Sequence, residues 1–164
     1  MNYEPMPGQR LEPEDFDSVV RLTPLVAIDL VVRSPDGRVL VGRRKCEPAK
    51  GWFFTTGGRI TKNETLAAAF RRISVAELGV AKRIEEARFL GVYEHFYPTN
   101  NPGRPGFGTH YVVLAYELTA PPHDWRLPND QHGEFAWLTV AELLQSPQVH
   151  QYVKAYFLPD GSGS

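Results

Sequence analysis

Three observations place this chain in a mixed α/β (α+β) class, as a single domain. Its 164 residues, 42% hydrophobic and 23% charged, suffice for one substantial core but are short for two. β-Branched and aromatic runs recur along it, separated by turn residues. Only a few segments show helical spacing, residues 64–78 foremost.

The elements follow in order. The first dozen residues are polar and Pro-rich and read as an arm; 13–158 read as the domain and 159–164, with GSGS, as a tail. PEDFDSVVRL (13–22) predicts a short helix, ended before Pro24 because proline disfavours helix in the residue preceding it. LVAIDLVV (25–32) and RVLVGRR (38–44), joined by SPDG, predict a hairpin. WFFTT (52–56) predicts a strand closed by Gly57-Gly58, and a helix then runs from about Glu64 to Leu78 with Gly79 as its C-cap. FLGVYEHFY (89–97) and HYVVLAYEL (110–118) are strand candidates. PTNNPGRPGFGT (98–109) between them is either a functional lid or a hairpin tip without a role. LPNDQHGE (127–134) reads as a polar loop before the strand FAWLT (135–139). Helices are expected at VAELLQS and near VHQYVKAYFL.

Bulk charge narrows the function classes. A net charge of -1 disfavours a general nucleic-acid binder. Residues 43–72 nevertheless hold eight basic side chains against two acidic ones, which reads either as a solvated basic face or as a site for a compact anion such as a diphosphate. One cysteine, Cys46, excludes an internal disulfide and fits a reducing compartment. No apolar run approaches a membrane span, and the N-terminus lacks the apolar core of a signal peptide, so the expectation is a cytoplasmic protein without a membrane partner.

Within GGRITKNETLAAAFRRISVAELG (57–79), Leu66, Phe70, Ile73 and Val80 form an apolar stripe, and Glu77 falls on it near the end where the helix dipole disfavours negative charge. A carboxylate there is tolerable if it is paired, for instance with Arg72, or bound to a cation. The spacing of Gly58, Glu64, Arg72, Glu77, Gly79 and Val80 resembles the Nudix box, G-x5-E-x7-R-E-U-x-E-E-x-G-U with U apolar. Ile73 and Ala76 stand where that pattern has glutamates, and Ser74 stands at an apolar position.

This reduced box is similar to that of the GDP-mannose mannosyl hydrolases of the Nudix superfamily. LTPLVAIDLVV, VGRR, PAKGWFFTTGGR, GVYEHFY, THYVVL, LPNDQHGEFAWL and VHQYVKAYFL extend the likeness over roughly 14–158. The resemblance implies a Nudix fold, a mixed sheet sandwiched between helices, and a homodimer. It implies hydrolysis of GDP-mannose, with GDP-glucose also accepted, by water attack at the anomeric carbon with inversion. It further implies one Mg²⁺, with Mn²⁺ able to substitute, held by Glu77, the carbonyl of Gly57 and Gln131. His132 would be the base, a group suited to accept a proton near neutral pH. Arg44, Arg59 and Arg72 match the phosphate-side arginines, with Arg72 alternatively holding Glu64. Asp29 and His95 would contact the sugar and Tyr111 the diphosphate; Tyr97 either joins them or only packs. Trp52 and Phe53 face core or guanine, and Arg43, Lys45 and Arg71 match nothing specific and read as solvated. Thr56 replaces the proline usual before Gly-Gly, a change expected to alter the turn at the metal.

Overall fold

The structure is a computed structural model that describes residues 8, 10–119 and 132–159, with the side chains of 132 and 133 left out of the description. Its centre is β1 (Leu25–Arg33), which pairs in parallel with β6 (Thr109–Thr119) along its whole length, from Leu25↔Tyr111 to Arg33↔Thr119. On its other side β1 changes partner. It meets β2 (Val39–Arg44) at Arg33↔Val39, where the strands part, and β4 (Thr56–Arg59) takes over from Leu30↔Thr56 to Ala27↔Arg59. β3 (Phe53–Phe54) and β7 (His132–Leu138) pair with β2, and β5 (Arg88–Tyr97) with β6, making seven strands among the described residues.

Helices cover both faces, which is why β1 reads as a nearly unbroken apolar run. On one face α2 (Leu66–Leu78) packs Phe70, Ile73 and Leu78 onto Ile28, Leu30 and Leu118. On the other, Leu143 of α3 (Val140–Gln145), with Val153 and Tyr156 of the segment around α4 (Gln151–Ala155), closes on Val31, Val41 and Ala115. α1 (Pro13–Leu22) matches its predicted bounds, with Pro13 in its first turn and Glu14 and Asp15 beside the positive end of its dipole.

Two expectations are corrected. WFFTT is not one strand: the chain leaves β2 after Phe54 and joins β1 at Thr56, so Gly57-Gly58 lies inside β4 and does not turn the chain into the helix. Close approach demands these glycines. A Cβ at Gly57 would stand 2.6 Å from the Ile28 carbonyl and 2.7 Å from Asp29 Oδ1; one at Gly58 would stand 3.0 Å from Ile73 Cγ1. Thr56 belongs to the ladder, fully buried, its hydroxyl donating to Leu30 O at 3.3 Å.

The second correction concerns α2, which starts two residues later than expected. Thr65 is its N-cap, accepting from Ala68 N at 3.1 Å, and Gly79 ends it in the left-handed conformation at φ 71°. Leu66 is exposed at the helix start; the buried stripe runs Ala69, Phe70, Ile73, Ser74, Glu77, Leu78. Glu64 therefore precedes the helix, where it takes a two-pronged ion pair from Arg72: Nε to Oε1 at 2.7 Å and Nη2 to Oε2 at 2.9 Å. Arg72 Nη2 also donates to the Arg59 carbonyl at 2.8 Å, tying α2 to the end of β4.

The loop 98–109 is a tied wall. Asn100, buried, donates to the Arg104 and Phe107 carbonyls and accepts from Arg104 N; Arg104 pairs with Asp17 of α1 at 2.7 Å. Thr99 Oγ1 donates to Glu47 Oε2 at 2.9 Å, joining this loop to the one after β2. Arg43, expected to be solvated, is also a tie: it reaches Glu134, the Gly51 carbonyl and Gln148 and lies over the Phe53 ring at 4.3 Å.

The Arg72 guanidinium holds the Glu64 carboxyl down to about 2, hydrogen bonding to it being the largest cause. A lowered carboxyl contributes stability above its unfolded value, lost as pH falls toward the folded one. Solvent at the exposed guanidinium screens the pair, so Arg72→Met is expected to cost about 0.5–1.5 kcal/mol at pH 7. By urea unfolding the deficit should shrink steadily between pH 5 and pH 3; a deficit independent of pH would show that the pair is not its source.

Candidate functional site

Where β1 and β2 part, a cleft of about 320 Å³ opens, lined by residues that include Asp29, Arg44, Gly57, Arg59, His95 and Tyr111. Every strand around the split contributes: β1 gives Asp29, β2 Arg44, β4 Gly57 and Arg59, β5 His95 and Tyr97, β6 Tyr111. The pairings Asp29↔Gly57 and His95↔Tyr111 set these residues side by side. The cleft continues past Phe16, Arg59 and Asn101 into a second hollow of about 660 Å³ that reaches Arg10 and Arg104.

One end is built around Asp29. Its side chain is 7% exposed in the middle of the apolar strand, and it is not isolated. Oδ2 accepts from Tyr156 Oη at 2.5 Å and from Thr55 Oγ1 at 3.2 Å. Burial raises its carboxyl to about 6, against the lowering effect of those hydroxyls and of Arg44. His95 is 3% exposed, stacked flat on Tyr152 at 4.3 Å, with Nε2 3.4 Å from Tyr156 Oη and Nδ1 3.5 Å from Tyr97 Oη. Burial, with repulsion from His150, lowers its imidazole to about 3, so it is neutral at physiological pH. The result is a buried carboxylate, a neutral imidazole and phenol hydroxyls: acceptors and donors at close range, suited to hydroxyl groups of a sugar.

The other end is cationic. Arg44 is held by Nε donating to the Pro48 carbonyl at 2.8 Å, and Arg59 lies over the Phe16 ring at 5.0 Å. Neither pairs with a carboxylate among the described residues, so both charges are available to an anion in the cleft. Tyr111 lines the same cleft and feels the charges of both arginines and of Asp29; burial raises its phenol, which therefore stays protonated as a donor. Arg72 does not line the cleft; of the two roles expected for it, the pairing with Glu64 is the one its geometry displays.

Two of the three departures from the box have physical explanations. Ile73, at a glutamate position, is a core residue packed on Gly58. Ser74 is buried because its hydroxyl donates to the Arg71 carbonyl and accepts from Lys82 N, both at 2.8 Å, pinning the chain after α2. Ala76 is exposed. Glu77 is 6% exposed, one turn beyond Ile73 on the face toward β4. Among the described residues no three His, Cys, Asp or Glu side chains gather as a metal cluster, and Glu64 is engaged by Arg72. The buried carboxylate of Glu77, beside the main-chain oxygens of β4, is donor chemistry of the kind that fits a hard divalent cation. Gln131 lies outside the described residues. His132 is described only in its main chain, which pairs with Arg44, so its strand position is beside the cleft.

Sequence reasoning missed Tyr156, Thr55, Tyr152 and Phe16. Tyr152 and Tyr156 stand four residues apart in VHQYVKAYFL, a spacing that puts two phenols on one side of a helical segment; that signal was present. Thr55 carried none, because its role follows from where β3 ends and β4 begins.

A raised folded-state carboxyl gives stability below its unfolded value and loses it as pH rises through about 6. Asp29→Asn is therefore expected to raise Tm by several degrees at pH 8, about 1–3 kcal/mol, and to converge with the wild type by pH 4. A variant less stable at both pH values would contradict this account of the buried charge.

Comparison with known proteins agrees with this architecture. The NUDIX domain family matches residues 23–160. The low-salt glycan biosynthesis protein Agl8 of Haloferax volcanii is 35% identical over 158 residues, 94% of either chain. An RNA pyrophosphohydrolase of Caulobacter vibrioides is 33% identical over 117 residues, 67% of either. Among solved structures, a MutT NUDIX hydrolase from Burkholderia pseudomallei superposes with a TM-score of 0.63 at 25% identity, covering 82% of this chain and 95% of that one. The NUDIX domain of Shewanella oneidensis NrtR, complexed with ADP ribose, superposes at 0.61 with 18% identity, covering 90% and 91%. With its mixed sheet between helices and its box on β4 and α2, this chain belongs to the Nudix hydrolase family.

Proposed function

We propose that this protein hydrolyses GDP-mannose, and GDP-glucose, to GDP and the free sugar. The observation that carries the reading is that Asp29 and His95, bridged by Tyr156, line the same cleft as Arg44 and Arg59, which pair with no carboxylate among the described residues. A polar, neutral-to-acidic end suits a hexose and a cationic end suits a diphosphate. The names of two similar proteins support a sugar or sugar-nucleotide context: Agl8 is named for glycan biosynthesis, and the NrtR domain was solved with ADP ribose.

Water attacks the anomeric carbon and the C1–O bond to the β-phosphate breaks, its electron pair leaving with GDP. His132 accepts the proton of the attacking water. Arg44, Arg59 and Tyr111 bind the diphosphate and stabilise charge developing on the leaving oxygen; Asp29 and His95 hold the sugar hydroxyls. Arg72, paired with Glu64, acts on this site through β4 rather than on phosphate. Nudix hydrolases typically use divalent metal ions. One Mg²⁺, for which Mn²⁺ can substitute, would be held by Glu77 with Gly57 and Gln131, and would supply further charge neutralisation at the diphosphate. The loss of box carboxylates at Ile73 and Ala76 supports attack at carbon, since no metal-activated nucleophile is then required at phosphorus. A homodimer belongs to the same reading; Val26, Val92 and Phe96, exposed on one sheet face, offer apolar surface for it.

³¹P NMR of products formed from GDP-mannose and Mg²⁺ tests the substrate and the bond region. GDP with free mannose is expected. GMP with mannose 1-phosphate would establish the ordinary Nudix diphosphatase reaction instead, and saturable binding without turnover would indicate a nucleotide-sugar sensor.

Two variants test the assigned roles. His132→Ala should lower kcat by about two to four orders of magnitude while GDP-mannose still binds; unchanged turnover would remove it as the base. Glu77→Gln should weaken or abolish Mg²⁺ activation, and an unaltered metal titration would remove it as a ligand.

A further inference from the structure

We infer that Tyr156, on the segment that follows α4, is a positioning residue for the sugar end of the cleft: its hydroxyl occupies one oxygen of Asp29 and leaves the other to the substrate's hydroxyl groups. This deepens the nucleotide-sugar reading and rests on it.

The two oxygens of Asp29 have different surroundings. Both hydroxyl donors, Tyr156 Oη and Thr55 Oγ1, go to Oδ2. No described residue donates a hydrogen bond to Oδ1, which lies over Gly57, another residue of the cleft wall. There the missing side chain keeps open the space a Cβ would fill. A carboxylate with one oxygen saturated by the protein cannot rotate without breaking that bond, so Oδ1 is offered in one direction. Such a fixed acceptor can discriminate between hydroxyl configurations, whereas a freely rotating one cannot.

Tyr156 is itself fixed. It belongs to the core cluster with Val31 and Val153, and its ring meets Tyr93 edge-on at 4.7 Å. Packing alone would accept phenylalanine, so the hydroxyl is explained by what it touches. Besides donating to Asp29 it lies 3.4 Å from His95 Nε2, where it can accept from that nitrogen. The order His95 Nε2–H, Tyr156 O–H, Asp29 Oδ2 then fixes the imidazole tautomer and leaves Nδ1 as the acceptor on the Tyr97 side. Among the described residues, the other ionisable groups that share the cleft with Asp29 include Arg44 from β2, Arg59 from β4, Tyr97 from β5 and Tyr111 from β6.

The test combines a ¹³C NMR titration of the Asp29 carboxyl in the free protein with calorimetric affinities for GDP and for GDP-mannose. In Tyr156→Phe the Asp29 midpoint is expected to move to higher pH, because a donor to the ionised form is gone. GDP-mannose affinity should fall about tenfold while GDP affinity is unchanged. Thr55→Val removes the longer of the two bonds and should shift both quantities in the same direction by less. Tyr152→Phe is the control: its hydroxyl bonds the Phe96 main chain, and its loss should leave the Asp29 midpoint in place. An unmoved midpoint in Tyr156→Phe, or equal weakening for GDP and GDP-mannose, would overturn the inference. A wild type that binds GDP no less tightly than GDP-mannose and turns neither over would overturn the nucleotide-sugar reading; the Asp29 titration would still decide whether Tyr156 holds that carboxyl.

Discussion

A carboxylate in the middle of the most buried strand is the constraint around which this molecule is arranged. Asp29 sits between Ile28 and Leu30, both with no exposed surface, in a sheet covered on both sides. An unpaired charge there would be strongly destabilising. The fold answers with two hydroxyls from distant parts of the chain, with Arg44 nearby, and with a glycine opposite where any side chain would collide with the carboxyl. The chain's switch from β2 to β1 between Phe54 and Thr56 brings Thr55 to Asp29, and the same switch opens the cleft. Local geometry and candidate function thus share one cause.

The box segment shows a second division of labour. Glu64 and Arg72, which a sequence pattern presents as part of a catalytic signature, form a clamp between α2 and β4. Ile73 and Ser74, which look like defects of that signature, are a core contact and a backbone anchor. Glu77 is the buried carboxylate of the helix among the described residues. Ile73 serves packing and Ala76 is exposed, so neither brings a carboxylate to the helix, and the described polar lining of the cleft lies on the sheet, at Asp29 and His95.

Much of this was legible in the residues. β1, β5, β6, α1 and the C-cap at Gly79 followed from alternation, β-branching and turn chemistry, and the box spacing led to the family. The cationic and polar lining residues Arg44, Arg59, Asp29, His95 and Tyr111 came from the resemblance, and all five line one cleft. What was not legible depended on strand exchange. Gly57-Gly58 signals a turn in one dimension and a close approach in three. Thr55 and Tyr156 acquire meaning only when β1, β4 and the segment after α4 are superimposed. The loop 98–109 looked patternless because Asn100 orders it through main-chain contacts that leave no periodic trace.

In the proposed reaction the site directs water to carbon rather than phosphorus. Products alone do not settle this, because attack on the β-phosphorus that expels the sugar would also yield GDP and mannose. Turnover of GDP-mannose in H₂¹⁸O, with mass spectrometry of both products, tests it directly. The label is expected in mannose, with GDP unlabelled. Label in the terminal phosphate of GDP would contradict it.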